Sequence, residues 1–364
     1  MKSLTNVLYL GFLFLSFLSW SQNNRPQEPK EPFSYTSENI TFINYSADSI
    51  PLAGTLTLPK DLKNPPVAIL ISGSGPQDRN EELLGHKPFL VLADYLTNHG
   101  IGVLRYDDRG VGESKGDFTT ATTFDFATDV EAAIAYLKSR NDVDTSKIGL
   151  IGHSEGGIIA PMVASKSKDV AFIILLAGPA VNGAEILLSQ SRKAGELAGT
   201  PQAFLDENEK LASIIYDIIR ANTEEEILKT NITNALNDYK TNNPLSPLVP
   251  HITPVMIAQQ LSILKSDWLC NFIRIEPKDY LEKIKCPVLA LNGSKDIQVL
   301  PDNNLEGIKK GLANNKDVTI KKLDGLNHLF QTAETGNVQE YGKIEETFAP
   351  IALEIIKDWI LERF

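Results

Sequence analysis

Residues 147–161 read KIGLIGHSEGGIIAP: an apolar run, then GHSEGG, then a second apolar run. The first run, KIGLIG, has the length and branching of a buried strand, and GIIAPMVASK beyond it has the character of a helix. Gly152 and Gly156 flank the join, where a strand and a helix crossing closely leave no room for a Cβ atom. Ser154 is thereby expected on a strained turn at the head of a helix, with its hydroxyl presented outward. The backbone N–H of Glu155 follows at the helix N-terminus, where developing negative charge is favoured. The Glu155 carboxylate is expected to be a bystander there.

Outward from this stretch, apolar runs alternate with helix-like segments. PPVAILISG (65–73) precedes PFLVLADYLTNHG (88–100), and IGVLRYD (101–107) precedes FATDVEAAIAYLKSR (126–140). VAFIILLAG (170–178), PVLALNG (287–293) and DVTIKKL (317–323) complete the set, and PIALEIIKDWILERF (350–364) has helical spacing. Such alternation predicts a mainly parallel sheet covered by helices on both faces. Before it, ENITFINY (38–45) and IPLAGTLTLP (50–59) predict a hairpin turning at Asp48-Ser49. Between about 181 and 275 the alternation stops: helical patterns and proline punctuation replace strands, as expected of a helical insertion roofing a site at the strand ends.

A serine needs a base to take its proton, and the base needs an acid to orient it. Of the five histidines, His328 in LDGLNHLF (323–330) follows the final strand in a turn suited to reach the strand ends. His153 is expected to point away from the serine hydroxyl, His99 to cap a helix on the surface, and His251 to lie in the insertion. Asp296 in PVLALNGSKDIQV (287–299) leaves the preceding strand into the neighbouring loop, with Asp302 and Asp324 as competitors. The order Ser154, Asp296, His328 differs from that of chymotrypsin and of subtilisin. For the oxyanion, the N–H of Glu155 is one expected donor, and SGSGPQDRN (72–80) supplies the other, Ser74 being favoured over Gly75. RYDDRGVGES (105–114) is expected to be a loop locked by an Arg–carboxylate pair within itself, the alternative being Asp107, Asp108 or Arg109 as substrate ligands.

The bulk properties narrow the classes. The chain has 364 residues, 42% hydrophobic, with a formal net charge of −11. That suits a large folded domain, and it disfavours nucleic acid or anionic membranes as partners. The loop 72–80 lacks the Lys-Ser/Thr of a phosphate cradle, and no metal-ligand spacing occurs. Cys270 and Cys286 are expected to be free thiols. Residues 1–21, basic then apolar from Val7 to Trp20, have the form of a signal peptide. Residues 22–35, rich in Pro, Asn and Glu, have the composition of a linker. An exported protein is expected, without stable membrane insertion once the signal is removed.

The set GSGPQDRN, LRYDDRGVGES, GHSEGG, LNGSKDIQV and GLNHLF resembles the α/β-hydrolase superfamily. More narrowly it is similar to bacterial carboxylesterases and serine aminopeptidase-like hydrolases. The resemblance runs from Thr36 to the C-terminus. It implies an α/β-hydrolase core in two parts, 36–180 and 276–364, with a helical cap at 181–275. It implies Ser154 as nucleophile, His328 as base, Asp296 as acid, and the Ser74 and Glu155 amides as oxyanion donors. The cap segment SDWLCNFIRIEP (266–277) would place Trp268 and Phe272 along the acyl pocket. The implied reaction is cleavage of short- or medium-chain carboxylic esters without a cofactor. Amide cleavage by an aminopeptidase is the alternative, with Glu224, Glu225 and Glu226 as contacts for a substrate amino group. A non-catalytic binding protein on the same fold is a further, more distant one.

Overall fold

The computed structural model describes residues 24–263 and 266–364. The expected signal peptide, residues 1–21, lies outside the described residues. The strands are β1 (Thr36–Asn44), β2 (Ile50–Leu58), β3 (Val67–Ile71), β4 (Gly102–Tyr106), β5 (Ile148–His153), β6 (Phe172–Leu176), β7 (Val288–Gly293) and β8 (Val318–Leu323). They form one eight-stranded sheet in the order β1-β2-β4-β3-β5-β6-β7-β8. From β4 to β8 all neighbours are parallel, and the β1–β2 hairpin joins β4 antiparallel. Asp48 and Ser49 both take positive φ, 51° and 58°, at the hairpin tip, the backbone that matches the twist of paired strands.

Four helices follow the alternation read from the sequence: α1 (Pro88–Asn98), α2 (Thr123–Lys138) and α3 (Gly156–Ala164), with the chain end in a further helix described below. The insertion then supplies α4 (Gly183–Leu197), α5 (Gln202–Ala221), α6 (Glu225–Asn242), α7 (Pro254–Ile263) and α8 (Asp267–Arg274). The C-terminal part adds α9 (Lys278–Leu281), α10 (Pro301–Gly311), α11 (Val338–Tyr341) and α12 (Pro350–Leu361). The chain divides into two compact units, one being Asn182–Ile275 and the other the sheet with its helices.

Strand side chains alternate in direction, and the burial follows that period. Ala68 and Leu70, Ile174 and Leu176, and Leu289 and Leu291 join α1 and α12 in one core around Leu92, Leu96, Leu353 and Ile356. The intervening Ile69, Leu150, Ile173 and Leu175 are equally buried on the opposite face, where α2 and α3 pack together. Coverage on both sides explains why β3 and β6 are apolar at every position. The outer strand β8 is only partly covered and carries exposed Lys321 and Lys322, charges that discourage edge pairing with another chain.

Among its described residues the Asn182–Ile275 unit has helices and no strands, with Leu211, Ile215, Ile219, Ile232 and Leu236 buried. Arg274 closes it by donating to Ile219 O at 2.9 Å and Asn222 O at 2.5 Å, meeting the last carbonyls of α5. Among the described residues no helix is long and apolar enough to cross a membrane.

The segment expected to be a linker is stitched down from Arg25 onward. The Arg25 guanidinium donates to the carbonyls of Leu84, Gly85, Gly342 and Ile344. Gln27 accepts from Thr347 N and Phe348 N and donates to Phe348 O. Composition showed the lack of an apolar face, but hydrogen bonds to loop carbonyls need none.

Beneath this strap lies His86, fully buried, with Nδ1 2.9 Å from Thr347 Oγ1 and Nε2 2.9 Å from Tyr341 O. Burial, and then the charge of Arg25, lower its pKa to about 4. The unfolded chain therefore takes up this proton near pH 6.5, whereas the folded one resists until about 4. Stability from this group is complete above pH 6.5 and declines as pH falls toward 4. The Tm of His86→Gln should depend less steeply on pH across that window than the wild-type Tm; parallel curves would exclude His86 as a source of acid sensitivity.

Candidate active site

The parallel strands end along one edge of the sheet, and the strand order switches sides between β3 and β5, the position beside which open sheets of this kind bind ligands. Ser154 stands there with φ of 51°, a left-handed backbone that a residue with a side chain adopts only under constraint. The constraint is contact between main chains. A Cβ on Gly152 would lie 2.0 Å from Gly156 O, and one on Gly156 would lie 2.2 Å from Ile71 O. The exit of β5, the first turn of α3 and the end of β3 thus touch backbone to backbone. Ser154 N donates to Leu176 O at 2.9 Å, fixing the turn against β6.

His328 and Asp296 meet at the ends of β8 and β7. His328 Nδ1 lies 2.8 Å from Asp296 Oδ2, and both groups are buried. The other carboxylate oxygen, Asp296 Oδ1, accepts from Gln298 N at 2.8 Å and Val299 N at 2.9 Å. A carboxylate so held selects the tautomer with the proton on Nδ1, leaving Nε2 as a base. The two competing aspartates face elsewhere. Asp302 pairs with Lys322 on the surface, and Asp324 accepts from Ser294 Oγ.

His153 links the two halves. Its ring centroid is 4.8 Å from that of His328, and its Nε2 is 2.9 Å from His328 O. Its Nδ1 is 2.8 Å from Glu81 Oε1, which also accepts from Gly73 N at 2.8 Å. Gly73 sits directly against the Ser154 turn, since a Cβ there would be 3.2 Å from Ser154 Cβ. The Gly73 N–H is therefore engaged with Glu81, and Ser74 supplies the next N–H along the loop. Ser74 O accepts from Gln77 Nε2 at 3.3 Å.

That loop is held from β4. Asp107 accepts from Arg79 N, Nε and Nη2 and from Glu113 N, at 2.6–3.0 Å. Burial would raise the Asp107 pKa, but these bonds hold it below the usual carboxylate range. Asp108 accepts from Ser72 Oγ at 2.9 Å and Gln77 N at 3.0 Å. Its deep burial pushes its pKa well up against those bonds, with Glu155 and Asp129 adding to the rise. Arg109 does not pair within its own loop as expected. It reaches Asp129 on α2, both nitrogens at 2.8 Å, and Asp125 O at 2.6 Å.

The Glu155 side chain, expected to be a bystander, is only 2% exposed and accepts from Thr123 Oγ1 at 2.7 Å, so it is packed against α2. His99 and His251 lie where the sequence put them. His99 caps α1 on the surface, and His251 lies in the short turn Val249–His251 of the helical unit. Within that unit Trp268 stacks on Phe272 at 5.2 Å between ring centroids, and Phe272 is buried. Glu225 and Glu226 open α6 and pair with Lys229 on its exposed face. Neither Cys270 nor Cys286 is in a disulfide.

Comparison with known proteins follows this geometry. A family model described as serine aminopeptidase, S33 matches residues 87–223. Esterase EstD of Thermotoga maritima is 26% identical over 304 residues, covering 84% of this chain and 62% of EstD. The chain therefore spans less than two thirds of that relative. The solved esterase Pf2001 of Pyrococcus furiosus superposes with a TM-score of 0.52 at 16% identity, covering 91% of this chain and 93% of Pf2001. Est1E of Butyrivibrio proteoclasticus, solved with ferulic acid, superposes with a TM-score of 0.51 at 18% identity, covering 89% and 98%.

Gly152→Ala should destabilise the protein by about 1–3 kcal/mol or more, because the new methyl meets main chain that cannot rotate away. Urea titration checks this, and an unchanged midpoint would mean the crossing can open without cost. Sheet order, the glycine-lined serine turn and the superpositions together give the chain an α/β-hydrolase fold.

Proposed function

We propose that the protein is a serine hydrolase of carboxylic esters with short- to medium-chain acyl groups. The observation that carries the reading is the buried 2.8 Å bond of His328 Nδ1 to Asp296, on loops beside a serine held at φ 51°. In the proposed reaction His328 Nε2 takes the Ser154 hydroxyl proton as Oγ attacks the ester carbonyl carbon. The N–H groups of Glu155 and Ser74 stabilise the oxyanion. The tetrahedral intermediate collapses, the C–O bond to the alcohol breaks, and His328 returns its proton to the departing oxygen. Water, deprotonated by the same imidazole, then releases the acid from Ser154. Asp296 stays ionised throughout and stabilises the imidazolium. The chemistry asks for no cofactor.

The likeness to EstD supports ester over amide substrates. The S33 description favours the alternative, an aminopeptidase-like amide hydrolase. The glutamates suggested for amine recognition lend it little, since Glu225 and Glu226 are paired with Lys229. Trp268 and Phe272 remain the proposed acyl contacts, and export remains the proposed fate of the chain.

Ser154→Ala should lower kcat for p-nitrophenyl butyrate by about 10⁴-fold or more, and Asp296→Asn by about 10³-fold, with circular dichroism unchanged. A fluorophosphonate should label wild type and not Ser154→Ala. Retained turnover in a folded Ser154→Ala protein would sink the proposal, and faster cleavage of aminoacyl amides than esters would favour the alternative. Sequencing the N-terminus of protein secreted by a bacterial host should find Gln22 first. An N-terminus still at Met1 would contradict export by cleavage.

A further inference from the structure

His153 is placed between two acceptors. Its Nε2 faces the carbonyl oxygen of His328 at 2.9 Å, an atom with no proton to give. Its Nδ1 faces Glu81 Oε1 at 2.8 Å, and that same oxygen already receives the Gly73 N–H at 2.8 Å. A neutral imidazole has one donor and one acceptor nitrogen, so it would leave a lone pair against one of these oxygens. With Glu81 as a carboxylate, both bonds form together only if both nitrogens carry protons. Glu81 and His153 are 5% and 6% exposed, so water replaces neither partner.

We infer that His153 is a permanent imidazolium, ion-paired with Glu81, and that this pair is the positioning device holding the base loop and the oxyanion loop against the Ser154 turn. One carboxylate oxygen ties the loop after β3 to the end of β5, and the ring's far side ties β5 to the loop after β8. The inference rests on the proposed ester hydrolysis for its catalytic meaning only. Glu81 is itself held under constraint. Its φ is 52°, and its N–H donates to Asp78 O at 2.9 Å while Asp78 Oδ1 accepts from Asn80 N and Glu82 N. The charged and titratable groups facing His153 are Glu81 from the β3 loop, Asp296 from the β7 loop and His328 from the β8 loop. Burial disfavours the charge on His153, but Glu81 and then His328 O and Asp296 more than offset it, leaving its pKa raised.

A glutamine at position 81 cannot substitute for the carboxylate. Its oxygen can accept from Gly73 N and from a protonated Nδ1, but without the counter-charge the buried imidazolium is unsupported. Its amide nitrogen could donate to a neutral Nδ1, but that same position would then oppose the Gly73 N–H.

The test is ¹⁵N NMR of the full chain labelled at histidine, with His153 assigned by replacing the other four histidines one at a time. Both His153 nitrogens should keep imidazolium shifts up to pH 8.5, where an ordinary histidine is neutral. A neutral His153 at pH 8 overturns the inference, and needs no variant to be seen. In Glu81→Gln, His153 should titrate between pH 5 and 8 and the His328 Nδ1 proton should shift. For p-nitrophenyl butyrate at pH 8, kcat should fall at least tenfold while KM changes less than threefold. A folded Glu81→Gln protein with His153 still charged and kcat unchanged would also overturn it. Wild type with a charged His153, a His328 proton responsive to Glu81 and no ester hydrolysis would overturn the ester reading while upholding the pair.

Discussion

Everything at the site depends on how closely main chain passes main chain at Gly152 and Gly156. Those residues let the end of β5, the start of α3 and the end of β3 come within contact of one another's backbone. Ser154 has no choice of conformation once that crossing is made, and its positive φ follows. Any side chain at either glycine must push strand and helix apart and so shift the Ser154 turn. The strain at one residue is maintained by packing at two others.

Around that crossing, charged groups do work that apolar packing does in the rest of the sheet. Asp107 and Asp108 face opposite partners: one holds Arg79 and Glu113, the other Ser72 and Gln77. The loop that offers Ser74 is thus fixed from β4 through buried carboxylates. Arg109 fastens the same region to α2 through Asp129. Losing one member of such a buried pair leaves a charge without its partner, at a cost of about 3–5 kcal/mol. These residues therefore have a structural claim as strong as any catalytic one.

Much of this was legible in the sequence, and the reasons are specific. The strands announced themselves because coverage on both faces makes β3 and β6 apolar at every position. The Ser154 turn was legible because its glycines are demanded by a local crossing within a few residues. Asp296 and His328 were legible because strand ends deliver them in chain order to one edge. Partner choice was not. Arg109 had carboxylates on either side of it in sequence, yet pairs with Asp129 on the helix packed above. Glu81 gave no signal, since its meaning lies in His153, seventy-two residues on. The burial of Glu155 gave no signal either, since Thr123, which donates to it, is thirty-two residues earlier in the chain. Arg25 looked like part of a tether because carbonyl acceptors have no sequence signature.

The strand order also has a consequence for how the molecule is made. β6 is apolar at all five positions and finds its outer neighbour only in β7, yet the helical insertion separates Leu176 from Val288 in the chain. During synthesis β6 is complete, with one hydrogen-bonding edge unmet, while the whole of Asn182–Ile275 is still being added. The contact that closes the sheet is therefore among its most distant in sequence, and distant pairings form slowly. An edge of five apolar residues exposed for that interval invites pairing with another nascent chain. The insertion that enlarges the protein thus sets the period in which it is most exposed to aggregation.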